Sequence, residues 1–268
     1  MARKTKCEFK RVPALDKCFA ILELLARSSE PLGISNISRQ LGLNKSSVFH
    51  IAHTLADLDV LEFDRDGKLR FGIRLHLLGQ LAGERAELIR TVHPYLKKAT
   101  NESKFSAFLG IRYGLKAVII DKVDAPFDMK VSSEVGMRLP LLAGAGGKAL
   151  LSQLPEAELD EILAHNELKG FTPHTCIEKD RFREAVMKVS EEGIAYDWEE
   201  YMEGIVALAV PLNTYRNNLQ AAIWAVGLKP QATNGQLPEV TELLKGIAAE
   251  LDIRFALASR SPTGATSR

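Results

Sequence analysis

The chain has 268 residues, 46% of them apolar and 26% charged, with 35 Lys/Arg against 34 Asp/Glu. That length points to two domains, and the composition excludes a collagen, a largely disordered chain and a disulfide scaffold. Apolar stretches such as Ile205–Leu212 are too short to span a bilayer, and no apolar run follows Met-Ala-Arg-Lys-Thr-Lys, so the chain is expected to be cytoplasmic, without a secretory signal.

Cys7, Cys18 and Cys176 form no CxxC pair and no zinc-ligand spacing, so reduced thiols and no bound metal are expected. Residues 1–75 carry 13 Lys/Arg and 9 Asp/Glu, a net charge of +4, whereas residues 76–268 carry 22 and 25, a net charge of −3. A basic front end on a mildly acidic body suits a polyanion-binding module joined to something else.

In chain order, residues 1–11 read as a loose polar arm. Leu15, Cys18, Phe19, Leu22 and Leu25 give Pro13–Ala26 a helical period with those residues inward. After a break at Ser28–Gly33, a short helix runs from Ser35 to Leu41, and Gly42-Leu43-Asn44 is a tight turn into a helix over Lys45–Leu58. Gly42 suits a helix C-terminus and Asn44 an N-cap. Val60–Phe63 and Lys68–Phe71 flank an Asp-Gly turn and read as a β-hairpin. Ile73–Asn101 is helical again, with Pro94 predicting a second helix that starts near it.

The rhythm then changes. Phe105–Ile111 and Lys116–Val123 read as strands, followed by an extended segment at Met129–Ser133. Gly144–Leu163 is helical with a division at Pro155, and Asp180–Glu192 is an amphipathic helix. Ile194–Trp198, Ile205–Leu212 and Gln220–Val226 read as strands, Leu237–Ala258 as a closing helix, and Ser259–Arg268 as a disordered tail. Strands, helices, strands and a helix predict an α+β domain on an antiparallel sheet.

Three helices followed by a hairpin make a winged helix-turn-helix, whose third helix presents its first turns outward. Here those turns carry Lys45, Ser46, Ser47, Phe49 and His50, with Arg39 and Asn44 before them. Lys and Ser bind phosphates, and Ser and His reach base edges. Arg65, Lys68 and Arg70 on the hairpin are placed to follow a phosphate backbone or to enter a minor groove. The competing reading is a three-helix packing module with a solvated basic edge. The positive charge and the wing favour double-stranded DNA as the partner.

At this point the sequence resembles a known family. The stretches RVPALDKCFAILELLA, GISNISRQLGLNKSSVFHIAHTLADLDVLEFDRDGKLRFGIRLHLLG and HPYLKKATNES are similar to the IclR family of bacterial transcription regulators. So are VGMRLPLLAGAGGKALLSQLP, EEGIAYDWEEYMEGIVALAVPL and NNLQAAIWAVG, and together they cover roughly residues 12–256. The resemblance implies a winged helix-turn-helix over residues 1–73, linker helices over 74–102, a GAF-like effector-binding domain over 103–260 and a tail over 261–268. It also implies self-association as a dimer or dimer of dimers, a small-molecule effector, RNA polymerase as a candidate partner, and repression or activation of catabolic genes.

Gly144, Ala145, Gly146 and Gly147 open a helix. They do not make a Walker loop, because Leu142 stands where its first glycine belongs and Ala149 follows Lys148. Nor do they make a dinucleotide fingerprint, because no βαβ unit surrounds them. No cofactor is expected. A glycine-rich helix start can hold a carboxylate, or the glycines can simply permit close packing; the resemblance favours an effector role.

In relatives with small polar acid effectors, the matching positions are often an Asp, a Cys and two Ser. They fall on Asp197, Ala207, Trp224 and Val226 here. Three of four are apolar, so a pocket also lined by Leu208 and Phe108 predicts a larger, aromatic organic acid. Trp224 could equally fill the site as a core residue.

No G-x-S-x-G or similar nucleophile signature accompanies His93, His165 or His174, so no catalytic residue is assigned. Asp197, Glu199, Glu200 and Glu203 read as a solvated acidic loop. The alternatives to a ligand-responsive regulator are a small-molecule-processing enzyme with an accessory helical module, and an effector-independent architectural DNA binder with an occluded pocket.

Overall fold

The computed structural model describes residues 12–81, 84–214, 219–232 and 235–260. The arm expected over 1–11 and the tail expected over 261–268 lie outside them. The chain divides into two compact units, Met1–Ala86 and Glu87–Arg268. The stretch read as a linker is shared between them.

In the first unit, α1 (Pro13–Arg27) starts on a proline, whose missing N–H costs nothing in a first helical turn. It buries Ile21 and Leu25, while Leu15 and Phe19, expected inward, are exposed. Cys18, Leu22 and Leu24 pack beside the buried pair. The helix carries apolar residues on more than one face, so periodicity alone could not select the inner one.

The expected break before the second helix contains a short strand, β1 (Leu32–Gly33). Then α2 (Ile34–Leu41) ends at Gly42, whose φ of +64° is a left-handed conformation that a Cβ would strain. Ser38 braces the turn: its backbone carbonyl accepts from the Leu43 N–H at 3.0 Å, and its hydroxyl donates to the Leu43 carbonyl at 2.6 Å. Next, α3 (Lys45–Asp57) begins with Asn44 at the N-cap position, although the Asn44 side chain makes no capping hydrogen bond.

The wing strands are β2 (Leu61–Phe63) and β3 (Lys68–Phe71), and β3 pairs antiparallel with both β1 and β2. In the turn between them, the Asp64 carboxylate accepts the N–H groups of Asp66 and Lys68. Ile21, Ile37, Val48, Ala52, Leu55, Leu61 and Leu69 form the common core. The unit is a winged helix-turn-helix, followed by α4 (Ile73–Leu81).

The next helix, α5 (Glu84–Ser103), contains Pro94 in its interior instead of starting there. A proline removes a helical hydrogen bond. Leu88, Val92, Leu96 and Ala99, spaced along one face, are buried in the core and hold the helix across that defect.

The second unit is built on six strands: β4 (Ser106–Tyr113), β5 (Lys116–Val123), β6 (Arg138–Pro140), β7 (Ala195–Trp198), β8 (Ile205–Leu212) and β9 (Ala221–Leu228). All pairings are antiparallel, in the order β6-β5-β4-β9-β8-β7. Residues 129–133, expected to be extended, are not a strand; the edge strand beside β5 is β6. Pro140 is tolerated because it ends an edge strand, where a missing N–H is cheap.

Helices cover both faces of the sheet. One core joins α5 and α10 (Leu237–Arg260) to Ala107, Leu109, Leu208, Val210 and Ala225. The opposite core joins α6 (Gly144–Leu151), α7 (Glu156–His165) and α8 (Lys179–Glu192) to Phe108, Ala207, Ala209 and Trp224. The division follows the two-residue alternation of strands. A short helix, α9 (Lys229–Ala232), follows β9 directly.

Candidate functional site

On the first unit, Lys45, Ser46, Phe49 and His50 are exposed over the first turns of α3, and Ser47 is half-buried. Phe49 is 46% exposed. Its ring centroid lies 4.2 Å from that of His53, and the His53 ring lies 4.8 Å from Phe63 of β2. Phe63 was not a predicted site residue, because contact between a helix and a wing strand has no local signature. Arg65 is exposed at the wing turn and Lys68 half-buried beside it. Arg70 pairs with Glu62 across the hairpin at 2.8 Å, and Arg39 donates to Asn36 Oδ1 at 2.6 Å. Both of these cations are tethered by a neighbour.

On the second unit, an open cavity of about 400 Å³ lies between the sheet and the start of α6. Strand register builds its floor. Asp197 stands opposite Ala207 and Ala207 opposite Val226. Phe108 stands opposite Trp224. All five line the cavity together with Gly144, Ala145, Gly146 and Gly147. Leu208 does not, which corrects the sequence reading: it belongs to the α5–α10 core, because adjacent residues of a strand face opposite ways.

Trp224 both fills and lines the site. Its ring lies so close over Gly110 that an added Cβ there would clash with it, and a Cβ at Gly146 would stand 3.0 Å from it. The ring needs glycine on the neighbouring strand, and a Cβ on the helix would press on it tightly. The close-packing role of these glycines therefore holds at Gly146, and also at Gly147, where a Cβ would strike the Leu141 carbonyl.

Lys130, Val131, Ser132, Ser133, Met137, Leu139, Tyr201, Met202, Ile205 and Leu228 also line the cavity. Sequence reading missed them because most come from irregular segments, where no period marks a face. Ser132, Ser133 and Tyr201 add hydroxyls to a mainly apolar wall.

The acidic segment is not a solvated loop, a second correction. Asp197 and Glu199 are buried, Glu200 is largely so, and only Glu203 of the four is exposed. Burial pushes the Asp197 carboxyl up to about 6, although the backbone N–H of Glu200 donates to its Oδ1 at 2.7 Å. Lys148 Nζ meets Glu200 Oε1 at 2.7 Å with both side chains largely buried. Lys229 donates to Glu199, which holds that carboxylate below its usual range. The Thr172 and Thr175 hydroxyls donate to the carbonyls of Glu199 and Glu200 at 2.6 and 2.5 Å. Glu199 and Glu200 thus each have a cationic partner, which is why these two carboxylates can leave water.

Among the described residues, no three His, Cys, Asp or Glu side chains gather as a metal site, and no helix is long and apolar enough to cross a membrane.

Comparison with known proteins finds matches to both units of the chain. Residues 14–65 match the IclR helix-turn-helix domain and residues 80–253 the bacterial transcriptional regulator IclR C-terminal domain. The chain is 27% identical to the HTH-type transcriptional regulator XynR of Escherichia coli K12, covering 87% of this chain and 93% of that one. It is 28% identical to the HTH-type transcriptional repressor AllR of Salmonella typhi, covering 94% and 93%. Its fold is similar to that of Thermotoga maritima IclR, with a TM-score of 0.75, 25% identity and coverage of 91% and 99%. It is also similar in fold to an IclR homologue from Microbacterium hydrocarbonoxydans complexed with 4-hydroxybenzoate, with a TM-score of 0.76, 19% identity and coverage of 91% and 99%. These relatives are named as regulators, repressors and IclR proteins, not as enzymes. A winged helix-turn-helix followed by a sheet domain with an open cavity, matched by family models over most of its length, places this chain in the IclR family of bacterial DNA-binding transcription regulators.

Proposed function

We propose that the chain is a cytoplasmic homodimeric regulator of a catabolic operon, and that its effector is an aromatic organic acid held in the sheet-domain cavity. One observation carries the effector class: Ala207, Trp224 and Val226 give the floor of a cavity of about 400 Å³ an apolar surface. A flat apolar ring suits such a floor, and a few convergent polar groups suffice to orient it. The carboxylate belongs at the start of α6, where backbone N–H groups and the helix dipole favour an anion. Asp197, which stands against that helix start, then meets a hydroxyl of the effector or a bridging water instead of the carboxylate directly. The neighbour complexed with 4-hydroxybenzoate holds a ligand of this class, which supports the reading.

On the first unit, Lys45, Ser46, Ser47, Phe49 and His50 are assigned to the major groove, with Arg39, Asn44, Arg65, Lys68 and Arg70 along the phosphates. One such helix reads few base pairs, so two copies on a pseudo-palindromic operator would supply the specificity. The exposed Ile73, Leu77 and Leu78 of α4 offer an apolar surface for pairing.

The test is calorimetry on the full chain with a panel of aromatic, hydroxyaromatic and small aliphatic acids. Binding of aromatic acids, with DNA affinity changed by the same compounds, is the expected result. Tight binding of glyoxylate without response to any aromatic acid overturns the assignment.

A further inference from the structure

The DNA-reading helix carries a phenylalanine that is too open to be core and too well held to be a loose surface side chain. Phe49 is 46% exposed. Its ring is tilted 45° on His53 at 4.2 Å, and His50 meets it edge-on at 5.6 Å between centroids. His53 in turn lies 4.8 Å from Phe63 of β2, tilted 37°. The stack ties the ring of α3 to the wing sheet, so Phe49 cannot fold away from solvent without breaking it.

Lys45, Ser46, Phe49, His50 and His53 recur at helical spacing and share one surface of α3. Lys45, Ser46 and His50 bring donors and acceptors. A phenyl ring brings neither, so it cannot contact phosphate or a base edge by hydrogen bonding. The apolar feature that the major groove offers is the 5-methyl group of thymine.

We propose that Phe49 is a specificity-determining residue that packs on the methyl group of a thymine in each operator half-site, and that His53, docked on Phe63, is the positioning residue that fixes its ring. This rests on the reading of α3 as the helix that enters the major groove. It adds a base identity to that reading.

The experiment starts by selecting duplexes from a random-sequence pool with the full chain. Affinity for the selected site is then measured at fixed salt by fluorescence anisotropy. Each thymine of a half-site is replaced in turn by deoxyuridine, which removes only the methyl group. At one thymine per half-site the uracil form should bind about fourfold more weakly, the worth of one buried methyl group. Phe49→Ala should bind both forms equally, and more weakly than the wild-type chain binds the thymine form. His53→Ala should bring the thymine-to-uracil ratio towards one, and His53→Phe, which keeps a ring in the stack, should retain it. A purely structural stack would lower affinity for both forms alike and leave the ratio unchanged. Equal binding of thymine and uracil forms by the wild-type chain at every position, or a Phe49→Ala variant that keeps the ratio, overturns the proposal. If no sequence is enriched at all, the reading of α3 itself fails, which is a separate outcome from an enriched site without methyl discrimination.

Discussion

Asp197 Oδ2 occupies the space that a side chain on Gly144 would need: a Cβ built on that glycine would stand 2.8 Å from it. The carboxylate therefore sits against the start of α6, where an effector carboxylate is also assigned. Its state of ionisation decides how much room an anion has.

The pH dependence of stability follows from this burial. The Asp197 carboxyl titrates near 6 in the folded chain against 3.8 ordinarily, with burial the main cause. The folded state thus holds the proton more tightly, so the full contribution is present below about pH 4 and is lost as pH rises through 6. The size is on the order of 2–3 kcal/mol. Asp197→Asn should match the wild-type chain near pH 4 and become more stable than it by that amount at pH 7–8, read as urea midpoints. Parallel curves for the two proteins would exclude the account. An acid effector should also bind the wild-type chain more tightly below pH 6 than above it.

Lys148 and Glu200 are a largely buried pair at 2.7 Å. Lys148→Met should destabilise the chain by about 3–5 kcal/mol, because it leaves Glu200 without its charge partner. Adding Glu200→Gln should recover a large part of that loss. Chemical denaturation of the three proteins checks this, and a double variant no better than the single one counts against it.

Trp224 depends on Gly110. Gly110→Ala should force the indole out of its place and cost about 1–3 kcal/mol as an overpacked core does. Near-ultraviolet circular dichroism should change with it, since the ring leaves its fixed environment. A variant with unchanged stability and spectrum would show that the sheet yields more easily than the contact implies.

Ala207 faces the cavity between Asp197 and Val226. Ala207→Leu should fill that space, abolish binding of aromatic acids by calorimetry, and leave the affinity for DNA without effector unchanged. Retained binding would place the ligand elsewhere in the cavity.

Arg65 is exposed at the wing turn, whereas Arg70 is paired with Glu62. Arg65→Ala should lower the slope of log affinity against log salt by about one unit. Arg70→Ala should lower it less, because the Glu62 carboxylate already offsets that charge in the free protein. Anisotropy titrations over a salt series separate the two, and equal slopes for both variants would remove the distinction.

Local chemistry made much of this protein legible from its sequence. Gly42 between two periodic helices marked the tight turn, the Asp-Gly pair marked the wing, and short continuous apolar runs marked the β8 and β9 strands. Each is a property of neighbouring residues, so it needs no fold to be visible. The resemblance carried by the family-like stretches then pointed to the cavity walls at Asp197, Ala207, Trp224 and Val226, all of which line the cavity.

What the sequence could not decide depends on partners far along the chain. Pro94 marked a helix start by local rule, yet α5 runs through it because a buried face holds the helix on both sides. Leu208 looked like a cavity residue beside Ala207, but strand pleat turns it to the opposite core. Glu199 and Glu200 looked solvated until Lys229 and Lys148, distant in sequence, were brought against them. Composition and spacing determined most of the longer elements and the kind of domain. Only tertiary packing decided which face of each element is inside, because that choice minimises exposed apolar area and unpaired charge over the whole unit.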